Sequence, residues 1–377
     1  MGTNTRPQES RDTSNKYAKV LDLSRRGHQL VKRHKYLEAC ALFDEALPLE
    51  PANPYLLTGL GDAYRGLGNF SEAAHYYQRV LDQDPDNLFA LRGLGDTRRD
   101  QGRSGEALTL WGHYLRLRPR DVFVLTRIAD LNKAQGDYQQ AEETYHQILS
   151  IDGEDSYAMM GLADLYHKTG QDDLAIPYYE QVLDTSPENI KLLTILGNLY
   201  RRRGEYESAR EYFEKALDLE NNNAYALYGM GHYYRWQRDY PMAISLWEKV
   251  LELSAGTADL FTRLGDAYRN TGNLAAAEAN YWKALEKGDD RYGLLGLARV
   301  YAIRGNLNEI VSCYRRLAVQ EDETAWLFGE IAAHLVVHRH LADAQGFYRL
   351  ACELQQDNQS VLQGLASQAD KLGLGST

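Results

Sequence analysis

Apolar and polar positions along this chain follow one template that returns at a fixed interval over nearly its whole length. Residues 54–87 show it most plainly when numbered from one. Leu57, Leu60, Gly61 and Tyr64, at positions 4, 7, 8 and 11, make an apolar stripe at helical spacing. Gly68, at position 15 and followed by Asn69, predicts the end of that helix, because glycine tolerates the left-handed conformation of a C-cap. Ser71 predicts the N-cap of a second helix. Ala73, Tyr77, Val80 and Leu81 form the second stripe, and Pro85 is read as its stop. One repeat is therefore a pair of helices, each with a single face to bury.

The pair recurs ten times. Its marker is the aromatic residue at position 24: Phe43, Tyr77, Trp111, Tyr145, Tyr179, Phe213, Trp247, Tyr281, Tyr314 and Tyr348. Eight of the nine steps between them are equal, and the step from Tyr281 to Tyr314 is one residue shorter. A fixed period of roughly 34 residues predicts a solenoid, in which each unit covers its neighbour's apolar face. Position 8 is always glycine or alanine, and position 20 is alanine in every repeat except the ninth, where it is Ile310. Glycine inside a helix costs about 1 kcal/mol relative to alanine, so its recurrence at position 8 points to close helix packing beside the ring at position 24.

Gly61, Tyr64, Ala73, Tyr77 and Pro85, at positions 8, 11, 20, 24 and 32, give the chain its resemblance to the tetratricopeptide repeat proteins, over residues 20–358. The match departs in detail: position 4 is mostly leucine, Gly153 replaces the proline of the fourth repeat, and Arg98 and Asn132 stand where a tyrosine is expected. The resemblance implies an all-α fold, a right-handed superhelical solenoid of about ten antiparallel helix pairs whose first helices line a concave groove. The expected organisation is a polar, disordered N-terminus at 1–14, the solenoid at 15–358, and a capping helix with a short tail at 359–377.

Composition narrows the function classes. No apolar run reaches the roughly 18 residues of a membrane span, and the N-terminus lacks a signal-peptide core. Cys40, Cys313 and Cys352 are too few and too scattered for a disulfide framework and read as buried thiols in second helices, so the expected location is cytoplasmic. A formal charge of −11 argues against general nucleic-acid binding, although the first and third repeats are locally basic. P-loop, dinucleotide-binding, nucleophile-elbow and H-E-x-x-H motifs are all missing. Glu330, His334 and His338 share a helical face at metal-ligand spacing, but without a fourth ligand they read as a polar face. No catalytic residue, metal or cofactor is expected.

Positions 2, 5, 9 and 12 lie together on the first helix, away from its buried stripe, and the resemblance places them on the concave surface. Position 2 is aromatic at Tyr55, Phe89, Phe123, Tyr157, Tyr225, Tyr292 and Trp326. Position 9 is Asp62, Asp96, Asp130, Asp164 and Asp266 in five repeats. Position 12 is basic or histidine from repeat two to repeat eight, through Arg65, Arg99, Lys133, His167, Arg201, Arg235 and Arg269. Ion pairing of position 9 with position 12 explains repeats two to five and eight. Repeats six and seven carry Asn198 and His232 instead, yet keep Arg201 and Arg235. With Lys191, Arg202, Tyr225, Tyr228, Trp236 and Arg269 these residues form a candidate pocket for a carboxylate or acidic peptide, set against a reading as solvated surface. The match to the carboxylate-clamp repeats that hold chaperone C-termini is partial, since Asn198 fits and Thr194 replaces a lysine.

A second candidate lies in the last two repeats. Tyr292, Leu295, Trp326, Val336 and Val337 read as an apolar contact patch for a peptide anchor or a homodimer, or as a face covered by the chain's own C-terminal segment. The expected function is a non-enzymatic protein–protein interaction scaffold or adaptor that holds an extended or acidic peptide along the groove. Alternatives are an RNA-processing scaffold and a regulatory subunit of an enzyme supplied by another chain.

Overall fold

The computed structural model describes residues 6–288 and 290–318. Among them it contains eighteen helices and no strand. The chain divides between Thr185 and Ser186 into two compact units, a boundary that falls at the end of the second helix of the fifth repeat. The first unit holds α1 Arg6–Lys32, α2 Tyr36–Ala46, α3 Pro54–Gly66, α4 Phe70–Leu81, α5 Leu88–Asp100, α6 Ser104–Leu117, α7 Val122–Gln135, α8 Tyr138–Ile151, α9 Ser156–Lys168 and α10 Asp172–Thr185. The second holds α11 Ile190–Arg202, α12 Tyr206–Leu219, α13 Ala224–Trp236, α14 Tyr240–Leu253, α15 Ala258–Asn270, α16 Leu274–Glu286, α17 Asp290–Arg304 and α18 Leu307–Ala318. Helix α1 begins within the segment 1–14, ahead of the boundary drawn from composition. Repeat ten, Cys352, the trio Glu330, His334 and His338, and the segment 359–377 lie outside the described residues. No described helix is long and apolar enough to cross a membrane.

The helix ends follow local chemistry. First helices start at a side-chain cap in the last position of the preceding repeat: Asn87 accepts from the amide of Ala90, Asp121 from Val124, and Asn223 from Ala226. The second helix of repeat two is capped by Asn69, which accepts from Glu72, so Ser71 sits one residue inside the helix. That helix ends at Leu81, four residues before Pro85. Position 15 takes a left-handed conformation in repeats one to nine, with glycine at most sites but His34 at φ 59° and Arg238 at φ 63°.

Packing centres on the position-24 ring. From Phe43 to Tyr281 all eight of these rings are buried, as is the alanine at position 20 of each repeat. Where position 8 is glycine, the ring of the same repeat lies against it. A Cβ added to Gly61 would come within 2.7 Å of the Tyr77 ring, and one added to Gly197 within 2.6 Å of Phe213. In several repeats the opposite side of the ring meets a second glycine, at position 6 of the next repeat. Tyr77 thus lies between Gly61 and Gly93, and Phe213 between Gly197 and Gly229. The ring is shared by two repeats, which is why one repeat cannot complete its own core.

Within each unit, every second helix packs on the first helix of the following pair. First helices also touch one another: α1 with α3 and α3 with α5 in the first unit, α11 with α13 and α15 with α17 in the second. Second helices do not approach one another as closely among the described residues. The first-helix row is therefore the inner side of the local curvature. On it Tyr55, Phe89, Phe123 and Tyr157 stand exposed in the first unit, and Tyr225 and Tyr292 in the second.

Candidate functional site

The position-9 aspartates answer mainly to partners outside their own helix. Tyr77 donates to Asp62 at 2.5 Å, Tyr145 to Asp130 at 2.6 Å, and Tyr179 to Asp164 and Tyr281 to Asp266 at 2.8 Å. The pairing expected along one helix forms in repeat eight, where Arg269 lies 3.6 Å from Asp266. Elsewhere position 12 finds other company. Lys133 lies over the Tyr145 ring, and His167 Nδ1 is 2.8 Å from Asp172.

Repeat three has a tryptophan at position 24, so Asp96 receives no phenol. It is only 3% exposed and is held by two arginines from flanking repeats. Arg127 Nε donates to it at 2.8 Å from α7, and Arg65 Nη1 lies 3.5 Å away on α3. Asp100 completes the cluster, 3.2 Å from Arg65 and 2.8 Å from Arg99. Three arginines thus face two aspartates on α3, α5 and α7. A cavity of about 550 Å³ opens beside them, lined by Tyr55, Asp62, Arg65, Phe89, Arg92, Asp96 and Arg127.

Four repeats further along, the same positions carry Arg201, Arg235 and Arg263, while Asp96 and Asp100 become His232 and Trp236. The arginines stay and both acids go. Among the described residues Arg201 Nε has only Asn198 Oδ1 as a partner, at 3.3 Å, and Asn198 is itself anchored to the Thr194 carbonyl. Burial pulls the Arg201 guanidinium below its ordinary value, with Arg263 acting in the same direction. Arg235 makes no ion pair among the described residues, and its Nε is buried without a hydrogen-bond partner.

His232 lies at the centre. It is 3% exposed, its Nε2 has no hydrogen-bond partner, and Tyr228 and Trp247 meet it edge-on at 4.7 and 5.4 Å between ring centroids. Burial, reinforced by Arg201, Arg235 and Arg263, holds its ring down to about 2, so it is neutral. One acid enters from α15. Asp259 pairs with Arg263 at 2.9 Å and accepts from the Tyr228 hydroxyl. Burial opposes the charge on Arg263, but Asp259 and Tyr228 together outweigh it and keep that guanidinium above its ordinary value. The cluster therefore sets three arginines against one aspartate. Asn198, Tyr225, Tyr228, Val250, Asp259 and Leu260 line an adjoining cavity of about 630 Å³.

The remaining sequence candidates divide. Tyr225 is 73% exposed at the rim, and Lys191 and Arg202 are exposed. Arg269 is taken up by Asp266. Trp236 points elsewhere and stacks on Tyr206 at 4.9 Å. Arg263 escaped the sequence reading because positions 2, 5, 9 and 12 were grouped without position 6, and Asp259, at position 2, because that position was read only for its aromatic residues. The signal was there: position 6 is glycine in five of repeats two to nine, and arginine at Arg127 and Arg263. Of the apolar patch, Tyr292 is exposed and Leu295 half-buried, while Trp326, Val336 and Val337 lie outside the described residues. Cys40 and Cys313 are buried free thiols, and burial pushes Cys313 up to about 11.

Two tetratricopeptide repeat profiles match overlapping segments that run from residue 25 to 290, one of them over 121–188 and 158–222, the other over 25–87, 58–121, 195–259 and 228–290. Solved structures similar to this chain include a tetratricopeptide repeat protein from Parabacteroides merdae, at 21% identity and TM-score 0.45, covering 66% of this chain and 99% of that one. MamA is similar at 27% identity and TM-score 0.40, over 43% of this chain and 95% of its own. Pseudomonas aeruginosa PilF is similar at 19% identity and TM-score 0.43, over 55% and 94%. No curated protein matches the chain at a significant level.

Proposed function

The chain belongs to the tetratricopeptide repeat family, and from that premise we propose that it is a non-enzymatic interaction scaffold that binds an acidic peptide segment on the first-helix face of α11, α13 and α15. The observation that carries this reading is the retention of Arg201, Arg235 and Arg263 where the two acids of the equivalent first-unit cluster are gone. Cations that are partly desolvated and short of counter-charge favour an anionic ligand. Exposed Tyr225 adds a rigid apolar surface at the rim, suited to the backbone and side chains of an extended peptide.

The test uses the full chain and a fluorescently labelled hexaglutamate peptide at low ionic strength. Wild type should bind it, binding should weaken with salt, and the Arg201→Glu/Arg235→Glu variant should lose about tenfold or more in affinity with its helical signal intact. A hexalysine peptide should show no binding. Equal affinity of wild type and the charge-reversed variant for hexaglutamate would end the acidic-peptide reading.

A further inference from the structure

The two arginine clusters are versions of one arrangement, and the comparison says what the second one lacks. Arg65, Asp96 and Arg127 correspond in register to Arg201, His232 and Arg263, one residue from each of three successive first helices. In the first unit the central carboxylate receives the flanking guanidinium groups directly. In the second the central side chain is a neutral imidazole whose Nε2 is buried and unpartnered. An unpaired buried polar atom is costly, and it persists here beside Arg201 and Arg235, neither of which has an acid of its own among the described residues.

Resting on the reading of this face as an acidic-peptide site, we propose that the Arg201–His232–Arg263 cluster takes one carboxylate of the partner in the role that Asp96 plays within the chain, with the His232 Nε2–H donating to it. The surroundings suit that role. Arg201 approaches from α11, Tyr228 and Arg235 share α13 with the histidine, Trp247 closes the α14 side, and Arg263, with Asp259 paired to it, comes from α15. Asp259 is already committed to Arg263 and Tyr228, which leaves Arg201 and Arg235 as the cations in want of a counter-charge. The neutral ring can donate without repelling the arginines. A carboxylate built into the chain at this point would occupy the site permanently, as Asp96 does.

An acid placed at position 232 therefore tests the site. Full-length wild type, His232→Asp and His232→Gln are titrated with two labelled peptides: hexaglutamate capped at both ends, and a neutral Gly-Ser peptide with a free C-terminus. The Asp variant supplies the missing acid internally, so it should lose about tenfold or more in affinity while melting at or above the wild-type temperature. The Gln variant keeps a neutral donor and should bind within about threefold of wild type. Binding of the capped peptide identifies a side-chain carboxylate as the ligand group, and binding of the neutral one identifies a terminal carboxylate; either supports the site. Wild-type affinity in the Asp variant, or equal losses in Asp and Gln, overturns the assignment of His232 while leaving the acidic-peptide reading standing. Failure of both peptides to bind wild type overturns the two together.

Discussion

Arg238 shows how far the repeat holds a residue to its place. Its backbone is left-handed at φ 63°, at a position where seven other repeats use glycine, and its side chain is exposed with only backbone bonding around it. A left-handed conformation costs an ordinary L-residue about 1–2 kcal/mol, part of which glycine returns through its freer unfolded chain. Arg238→Gly should therefore stabilise by about 0.5–1 kcal/mol, seen as a higher melting temperature, while binding at the neighbouring cluster is unchanged. His232 makes the opposite kind of statement. Its ring is held near 2 in the folded chain, whereas an unfolded histidine titrates near 6.5. The folded state then binds fewer protons than the unfolded one in that window, so this stability is complete above pH 6.5 and is lost as the pH falls. Between pH 6.5 and 5 the loss should approach about 2 kcal/mol. Thermal melts at pH 7 and pH 5 check it: His232→Gln should lose less on acidification than wild type.

At the scale of the helix pair, the position-24 ring explains features that the sequence displayed without their cause. The run of aspartates at position 9 was plain, but reading along one helix offered only a neighbour three residues away as partner. The main partner is a phenol on the second helix of the same pair, and periodicity cannot show that. Where the ring has no hydroxyl, position 9 is released for other uses: Asn198 beside Phe213, His232 beside Trp247, and Asp96 beside Trp111. The helix pairs, the glycine stop and the small positions were legible because each follows from local conformation or from steric need. The Asn69 cap was missed because asparagine and serine compete for that role two residues apart, and only the turn geometry decides. Tyr179→Phe tests the tie directly. It removes the one phenol bonded to Asp164 among the described residues without changing the shape of the core, and should cost about 1.5–2 kcal/mol by thermal or urea unfolding. Phe213, buried with no hydroxyl, shows that the pair packs well without one when no carboxylate waits beside it.

At the scale of the whole molecule, the chain uses one template twice with different outcomes. The first unit satisfies its arginines with its own aspartates, and the second leaves them short of acid. Neither difference disturbs the packing: the position-24 ring is buried in repeats one to eight whichever residue stands at position 9. Function on such a surface can change without renegotiating the core. The spacing of the two clusters, four whole repeats apart, carries a genetic implication as well. Loss of residues 88–223 would join Asn87 to Ala224, one helix cap standing in for its equivalent, with the repeat register unbroken. Arg65 would then precede His232 and Arg263 in the place now held by Arg201. Unequal crossing-over between repeats could thus move, copy or erase the proposed anion site in a single event, so descendants of this sequence could differ in what they hold while keeping the same mode of repeat-to-repeat packing.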